Sequence, residues 1–203
     1  MMQSLTAQAL LIAPLAYFLF VASITPGPNN VMLASSGMNF GYRRSLPHLA
    51  GTAAGFGFLI FTCALGLGSL YELFPGFRTG LAIVAGGYLL YLAYRIATSG
   101  PTRTSEGGRP LRFWEAFGFQ FVNPKGWVMA LTASGSFLPA MDDPTGQAFI
   151  MLALAAVIGI PCMLSWTLFG SAMGRLFDTP RRRRLINGTL ALLLVACLPL
   201  IVL

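Results

Sequence analysis

Six apolar stretches, at residues 7–38, 46–70, 79–97, 113–139, 147–174 and 185–203, take up most of this 203-residue chain. A helix rises 1.5 Å per residue, so about 20 residues cross a hydrocarbon core about 30 Å thick, and each stretch supplies about that or more. Only 9% of the residues are charged, against roughly 25% in a soluble domain. That is too few to coat a surface facing water. The pattern predicts an all-α integral membrane protein of six transmembrane helices forming a single domain over 1–203.

The charges that do exist sort by side. Arg43 and Arg44 follow the first stretch. Arg95, Arg103, Arg109 and Arg112 lie between the third and fourth or at their ends, and Arg175 and Arg181 to Arg184 between or near the fifth and sixth. The opposite side has Arg78, offset by Glu72, Asp142 and Asp143. By the positive-inside rule the arginine-rich side is cytoplasmic, and both termini point outward. The net charge of +7 is thus a topology signal and not a nucleic-acid footprint, and the Arg181–Arg184 run is expected to sit against anionic lipid. The first 42 residues hold no Lys or Arg. The positive start of a cleaved signal peptide is therefore missing, and the first stretch is expected to be a retained helix.

The longest loop, Gly/Pro-rich, runs from Thr98 to Pro110. A linker at about 98–112 divides the chain into a first repeat of about 1–97 and a second of about 113–203, three helices each. An odd number of spans per half inserts the halves in opposite senses, the inverted-repeat arrangement of many transporters. Helices 1 and 4, the counterparts, are both interrupted: SITPGPNN at 23–30 and FQFVNPKGW at 119–127. Pro26 and Pro28 lack amide hydrogens, so the carbonyls of Ala22 and Ile24 lose helical partners, and Pro124 does the same to Gln120. Asn123, preceding proline, is pushed away from helical dihedrals. A milder break is expected at GIPC, 159–162. Unsatisfied backbone is costly in lipid, so the paired interruptions are expected to line a midplane binding cavity. Gly37, Gly41, Gly51 and Gly55 fit the small-xxx-small spacing of close helix contacts.

Lys125 is the one charge placed deep in a predicted span. It lies about twelve residues into the fourth stretch, roughly 18 Å along a helix, and no acid lies deep in any stretch to neutralise it. A charge there costs at least about 2.5–3.5 kcal/mol and marks a substrate or proton path by default. Snorkelling is the alternative, but a lysine stem spans only about 6 Å.

TPGPNN in the first helix, NPK in the fourth, the Gly-rich second stretch and the six-span size resemble the LysE/RhtB amino-acid exporter family over essentially the whole chain. GYLLYLAYRIATSG and FWEAFGFQFVNPKGW are also similar to its members that export cysteine and O-acetylserine. The resemblance implies an inner-membrane, proton-driven exporter of small amino acids or their derivatives, and it carries over to Pro26, Gly27, Pro28, Asn29, Asn30, Asn123, Pro124 and Lys125. With Thr25 and Gln120, which complete the two interruptions, these form the candidate substrate-binding set. The half-helix N-termini after Pro28 and Pro124 suit a carboxylate, Lys125 adds a full charge, and the carbonyls of Ala22, Ile24 and Gln120 with the Asn side-chain oxygens suit an ammonium. The absence of deep acids favours a neutral substrate. Partners expected are the amino acid, protons and membrane lipid, with the oligomeric state left open, a homodimer included.

Other classes fit less well. An intramembrane hydrolase needs an aspartate pair, a Ser/His arrangement or metal ligands in the spans, and the sole histidine, His48, stands without such partners in the sequence. A thiol–disulfide carrier needs paired cysteines in the interrupted helices, whereas Cys63, Cys162 and Cys197 lie elsewhere and read as packing residues. A divalent-cation or other small-solute exporter of the same superfamily stays open, since backbone carbonyls can coordinate ions. No catalytic residue, cofactor or bound metal is expected.

Overall fold

The computed structural model of the chain describes residues 2–67, 73–98, 109–137, 143–177 and 179–199, and no strand occurs among the described residues. Most of the expected linker, 99–108 with Arg103, lies outside them, as do Glu72 and Asp142. The elements are α1 (Met2–Ile24), α2 (Pro28–Phe40) and α3 (Tyr42–Thr62), which ends in a π-helical turn at Cys63–Leu67, then α4 (Pro75–Ala97). The second half has α5 (Phe113–Phe119), α6 (Pro124–Thr132) with a π-helical turn at Ala133–Phe137, α7 (Pro144–Leu176) and α8 (Pro180–Val195). Two of these, Tyr42–Gly66 and Pro144–Leu176, are long and apolar enough to cross a membrane alone, and shorter apolar helices run over Ile12–Ile24 and Ala82–Ala97.

Local chemistry explains the helix ends. Proline opens α2, α4, α6, α7 and α8, where its missing N–H would have lacked a partner anyway. Asp143 caps α7, its Oδ1 accepting the Thr145 amide hydrogen bond at 3.0 Å. Pro161 does not end α7, which is 33 residues long and runs on to Leu176. The GIPC stretch is therefore a helix interior, in contrast to the milder break expected there.

Glycine decides how the helices pack. A Cβ on Gly170 of α7 would lie 1.9 Å from the Ala34 carbonyl oxygen of α2, and one on Gly37 would lie 2.1 Å from the Thr167 carbonyl oxygen. Gly51 and Gly55 bring α3 equally close to the Phe113 and Phe117 carbonyls of α5, at 2.1 and 2.6 Å. Only hydrogen fits at these contacts. Gly41 belongs to a different class: nothing lies within 4 Å of its Cβ position, and its φ of 79° makes the bend between α2 and α3.

The apolar interior falls into two main clusters. One gathers Leu15, Leu19, Phe56, Leu59, Trp127 and Met151, and the other Met32, Met38, Leu89, Phe119 and Leu194. The outside is apolar too, with Tyr17, Ile83, Val157 and Leu192 each 70–71% exposed. Large apolar surface of this kind marks contact with membrane or protein rather than water.

Candidate functional site

Two interruptions of helix meet in this structure. At the first, α1 stops at Ile24 and α2 starts at Pro28, with Gly27 extended between them (φ −177°, ψ 176°). At the second, the amides of Gln120, Phe121 and Val122 each bond three residues back, at 3.1–3.2 Å, so the chain tightens into a turn as it leaves α5. Asn123 then takes an extended ψ of 107°, as the residue before proline must, and Pro124 opens α6.

Lys125, in the first turn of α6, bridges the two. Its Nζ donates to the Thr25 carbonyl at 2.9 Å and to the Pro26 carbonyl at 3.3 Å. Gly27 makes this approach possible, since a Cβ there would sit 2.8 Å from Lys125 Cδ and 3.0 Å from its Nζ. Buried Asn30 braces the same backbone, its Nδ2 donating to the Ser23 carbonyl at 2.7 Å and to the Thr25 carbonyl at 2.8 Å. The Thr25 hydroxyl turns back to the Val21 carbonyl and closes the last turn of α1. Pro28 is buried as the first residue of α2.

A second bridge is made of amides. Asn29 Nδ2 donates to Gln120 Oε1 at 2.8 Å and Gln120 Nε2 returns a bond to Asn29 Oδ1 at 3.1 Å, while also donating to the Ala116 carbonyl. A reciprocal amide pair 91 residues apart in sequence holds the interruptions in one register. Between them lies a cavity of about 30 Å³, lined by Ala22, Ser23, Gly27, Asn29, Asn30, Phe56, Asn123, Lys125, Gly126, Met129 and Met163. That is room for water but not for an amino acid. The buried Asn123 Oδ1 has no hydrogen-bond partner among the described residues. A buried acceptor costs about 1–3 kcal/mol when unmade, and Asn123 is among the residues that line the cavity.

The structure thus gathers Thr25, Pro26, Gly27, Asn29, Asn30, Gln120, Asn123 and Lys125 at one locus, with Pro28 and Pro124 setting the helix starts. The backbone acceptors differ from those expected. The Ile24 carbonyl is taken by the Trp166 indole N–H at 3.0 Å and the Gln120 carbonyl by the Asn123 amide at 3.3 Å, and that of Ala22 faces the Thr25 hydroxyl at 3.5 Å. The carbonyls that meet the Lys125 ammonium are those of Thr25 and Pro26, while that of Ala22, a cavity-lining residue, keeps only its long contact with the Thr25 hydroxyl. Glu115 anchors the start of α5, accepting from the Arg112 amide at 2.7 Å and from the two terminal guanidinium nitrogens of Arg109, Nη1 and Nη2, at 2.6 and 2.5 Å.

Several participants carry no local signal. Phe56, Met129 and Met163 are ordinary apolar residues until packing turns them to the cavity, and Trp166 reaches Ile24 from 142 residues away. Gly170 and Gly174, in contrast, have the same small-xxx-small spacing as the first-half glycines and were legible by it.

The sequence pattern of the LysE type translocators matches residues 20–198. A cysteine/O-acetylserine efflux protein of Klebsiella pneumoniae subsp. pneumoniae is 38% identical over 188 residues, covering 92% of this chain and 94% of that protein. Proteins of the same description from Salmonella choleraesuis and Escherichia coli K12 are 34% and 33% identical over 180 residues, 89% of this chain and 91% of each. No solved structure matches the chain.

Proposed function

Because the chain belongs to the LysE type translocator family, we propose that it is a secondary exporter of small neutral amino acids and their derivatives, cysteine and O-acetylserine among them, driven by protons across a bacterial inner membrane. The observation that carries this reading is Lys125, a cation bridging two interrupted helices in a cavity that also holds the unpartnered Asn123 Oδ1. A zwitterion suits this set by exchange. Its carboxylate draws the Lys125 ammonium off the Thr25 and Pro26 carbonyls, and its own ammonium takes those carbonyls and Asn123 Oδ1. No net charge is added to the interior, which keeps the desolvation cost down. The side chain is left facing Phe56, Met129 and Met163. With no acid in the lining, a cationic side chain would be buried unpaired.

The cavity must open to admit substrate, and the repeat architecture supplies a way. In this reading α1–α2 corresponds to α5–α6, α3 to α7 and α4 to α8, giving six spans as two inverted repeats. Support comes from the packing: α1 and α2 lie against α7, α5 and α6 lie against α3, and α4 pairs with α8. That is the exchange of partners a two-fold relation requires. Rocking one repeat against the other would expose the site to each side in turn.

Two experiments test the proposal. Purified protein in liposomes loaded with unlabelled amino acid is expected to take up labelled cysteine, O-acetylserine, threonine and leucine by counterflow, and to leave lysine outside. Preferential exchange of lysine would overturn the neutral-substrate assignment. A reporter fused after Leu203 is expected to be active only outside the cytoplasm and one inserted near Gly107 only inside it. A cytoplasmic C-terminus would make the span count odd and remove the inverted repeat.

A further inference from the structure

Where α2, α3 and α7 pack together, the helices bury a seam of polar side chains. Ser36 lies on α2, Ser45, His48 and Thr52 on α3, and Thr167 and Ser171 on α7, each at most 6% exposed. The hydroxyls of Ser45, Thr52 and Thr167 donate to carbonyls of their own helices at 2.9–3.0 Å, which leaves oxygen lone pairs free as acceptors. His48 is the titratable member. Its Nδ1 pairs with Ser36 Oγ across the α2–α3 interface at 2.8 Å. Its Nε2 is buried with no hydrogen-bond partner among the described residues. Phe56, two turns further along α3, lines the substrate cavity. Arg43 and Arg44, about one turn the other way, mark the end taken as cytoplasmic.

We propose that His48 is the proton-binding residue of the transport cycle, exchanging its proton through this seam between the substrate cavity and the cytoplasm. The proposal rests on the export reading. With Nδ1–H donating to Ser36 Oγ, a second proton on the imidazole would sit on Nε2 and point at nothing that accepts it. Protonation needs α2 and α3 to part enough for water or a seam hydroxyl to reach Nε2. Hydronium then gives its proton to Nε2 and leaves as water, and return to the packed state expels the proton again. A proton that binds one state better than the other shifts the equilibrium between them, and by the same linkage the substrate's preference for a state is tied to the proton's.

The charges around His48 are few. α2 carries no titratable side chain; α5, packed against α3, brings Glu115, which is clamped by Arg109. α6 brings Lys125, α7 brings Cys162 and Arg175, and α3 itself has Tyr42, Arg43 and Arg44.

The test compares two modes in liposomes: counterflow of labelled cysteine without a pH gradient, and accumulation driven by one. Wild type is expected to do both. His48→Gln is expected to keep counterflow within about twofold while gradient-driven accumulation falls at least about tenfold and loses its pH dependence. Ser36→Ala removes the Nδ1 partner, and the midpoint of its pH profile is expected to move by about half to one unit, the size of one lost hydrogen bond. Gradient-driven accumulation by His48→Gln, loss of its counterflow together with the driven mode, or an unshifted Ser36→Ala profile would each overturn the proposal. If His48→Gln fails to fold, the Ser36→Ala profile decides. Wild type that exchanges no amino acid would overturn the export reading, and this proposal with it. Wild-type counterflow that persists while the pH gradient has no effect overturns the proton coupling and the proton site together, and leaves the amino-acid exchange reading standing.

Discussion

Lys125→Met is expected to reach the membrane in wild-type amount and to lose export by about 10- to 100-fold. Methionine keeps much of the stem volume and removes the ammonium. A hydrogen bond to a charged group is worth about 1.5–3 kcal/mol, and about 1.4 kcal/mol is tenfold in affinity. The variant also strips the Pro26 carbonyl of the donor at 3.3 Å, while the Thr25 carbonyl keeps Asn30. A small loss of thermal stability should accompany a large loss of transport. Lys125→Arg separates charge from fit: the guanidinium stays positive but is a planar fork rather than a compact ammonium, and it must enter a space that already excludes a Cβ at Gly27. Partial binding with slowed export is the expected result. Efflux from liposomes, with protein amount and monodispersity checked in detergent, is the measurement. Full export by well-folded Lys125→Met would return this lysine to an anchoring role.

Gly170→Ala is expected to be among the most damaging single-methyl changes in the chain. Its Cβ would fall 1.9 Å from the Ala34 carbonyl oxygen and 2.6 Å from the carbonyl carbon, both backbone atoms of a buried helix. A side chain could turn aside, but a helix backbone has to move whole. α2 and α7 would have to separate by about an ångström along a contact that Gly37 and Gly174 also share. Overpacking of this kind costs typically about 1–3 kcal/mol. Export should fall as well, since α2 carries Asn29 and Asn30 into the site. Gly87→Ala is the control, with nothing within 4 Å of its Cβ position, and alanine there should be neutral or slightly stabilising. Thermal melting in detergent checks both. Equal melting temperatures for Gly170→Ala and wild type would mean that α2 and α7 are not in this contact.

The class of the chain and the location of its interruptions were readable because their causes are local. A proline lacks its amide hydrogen wherever it stands, and Asn123 is driven out of helical dihedrals by the next residue in the chain. A scarcity of charge excludes a water-facing surface whatever the fold. Lys125 was legible for the same reason, since its depth in an apolar stretch follows from counting residues along the chain. Gly51 and Gly55 were legible as contact residues from spacing, but spacing could not show that Gly41 serves a bend instead, because that depends on a φ of 79°.

What the tertiary structure alone decided is who satisfies whom. Proline frees a set of carbonyls, and sequence could name them, yet Ile24 is claimed by Trp166 and Gln120 by Asn123. The acceptors that Lys125 takes, from about 100 residues away, are those of Thr25 and Pro26. His48 stood alone in the sequence and acquires Ser36 and a buried, unpartnered Nε2 only when α2 and α3 pack. Hydrogen-bond satisfaction is a competition among every donor within reach, and reach across a helical bundle is set by packing rather than by position along the chain.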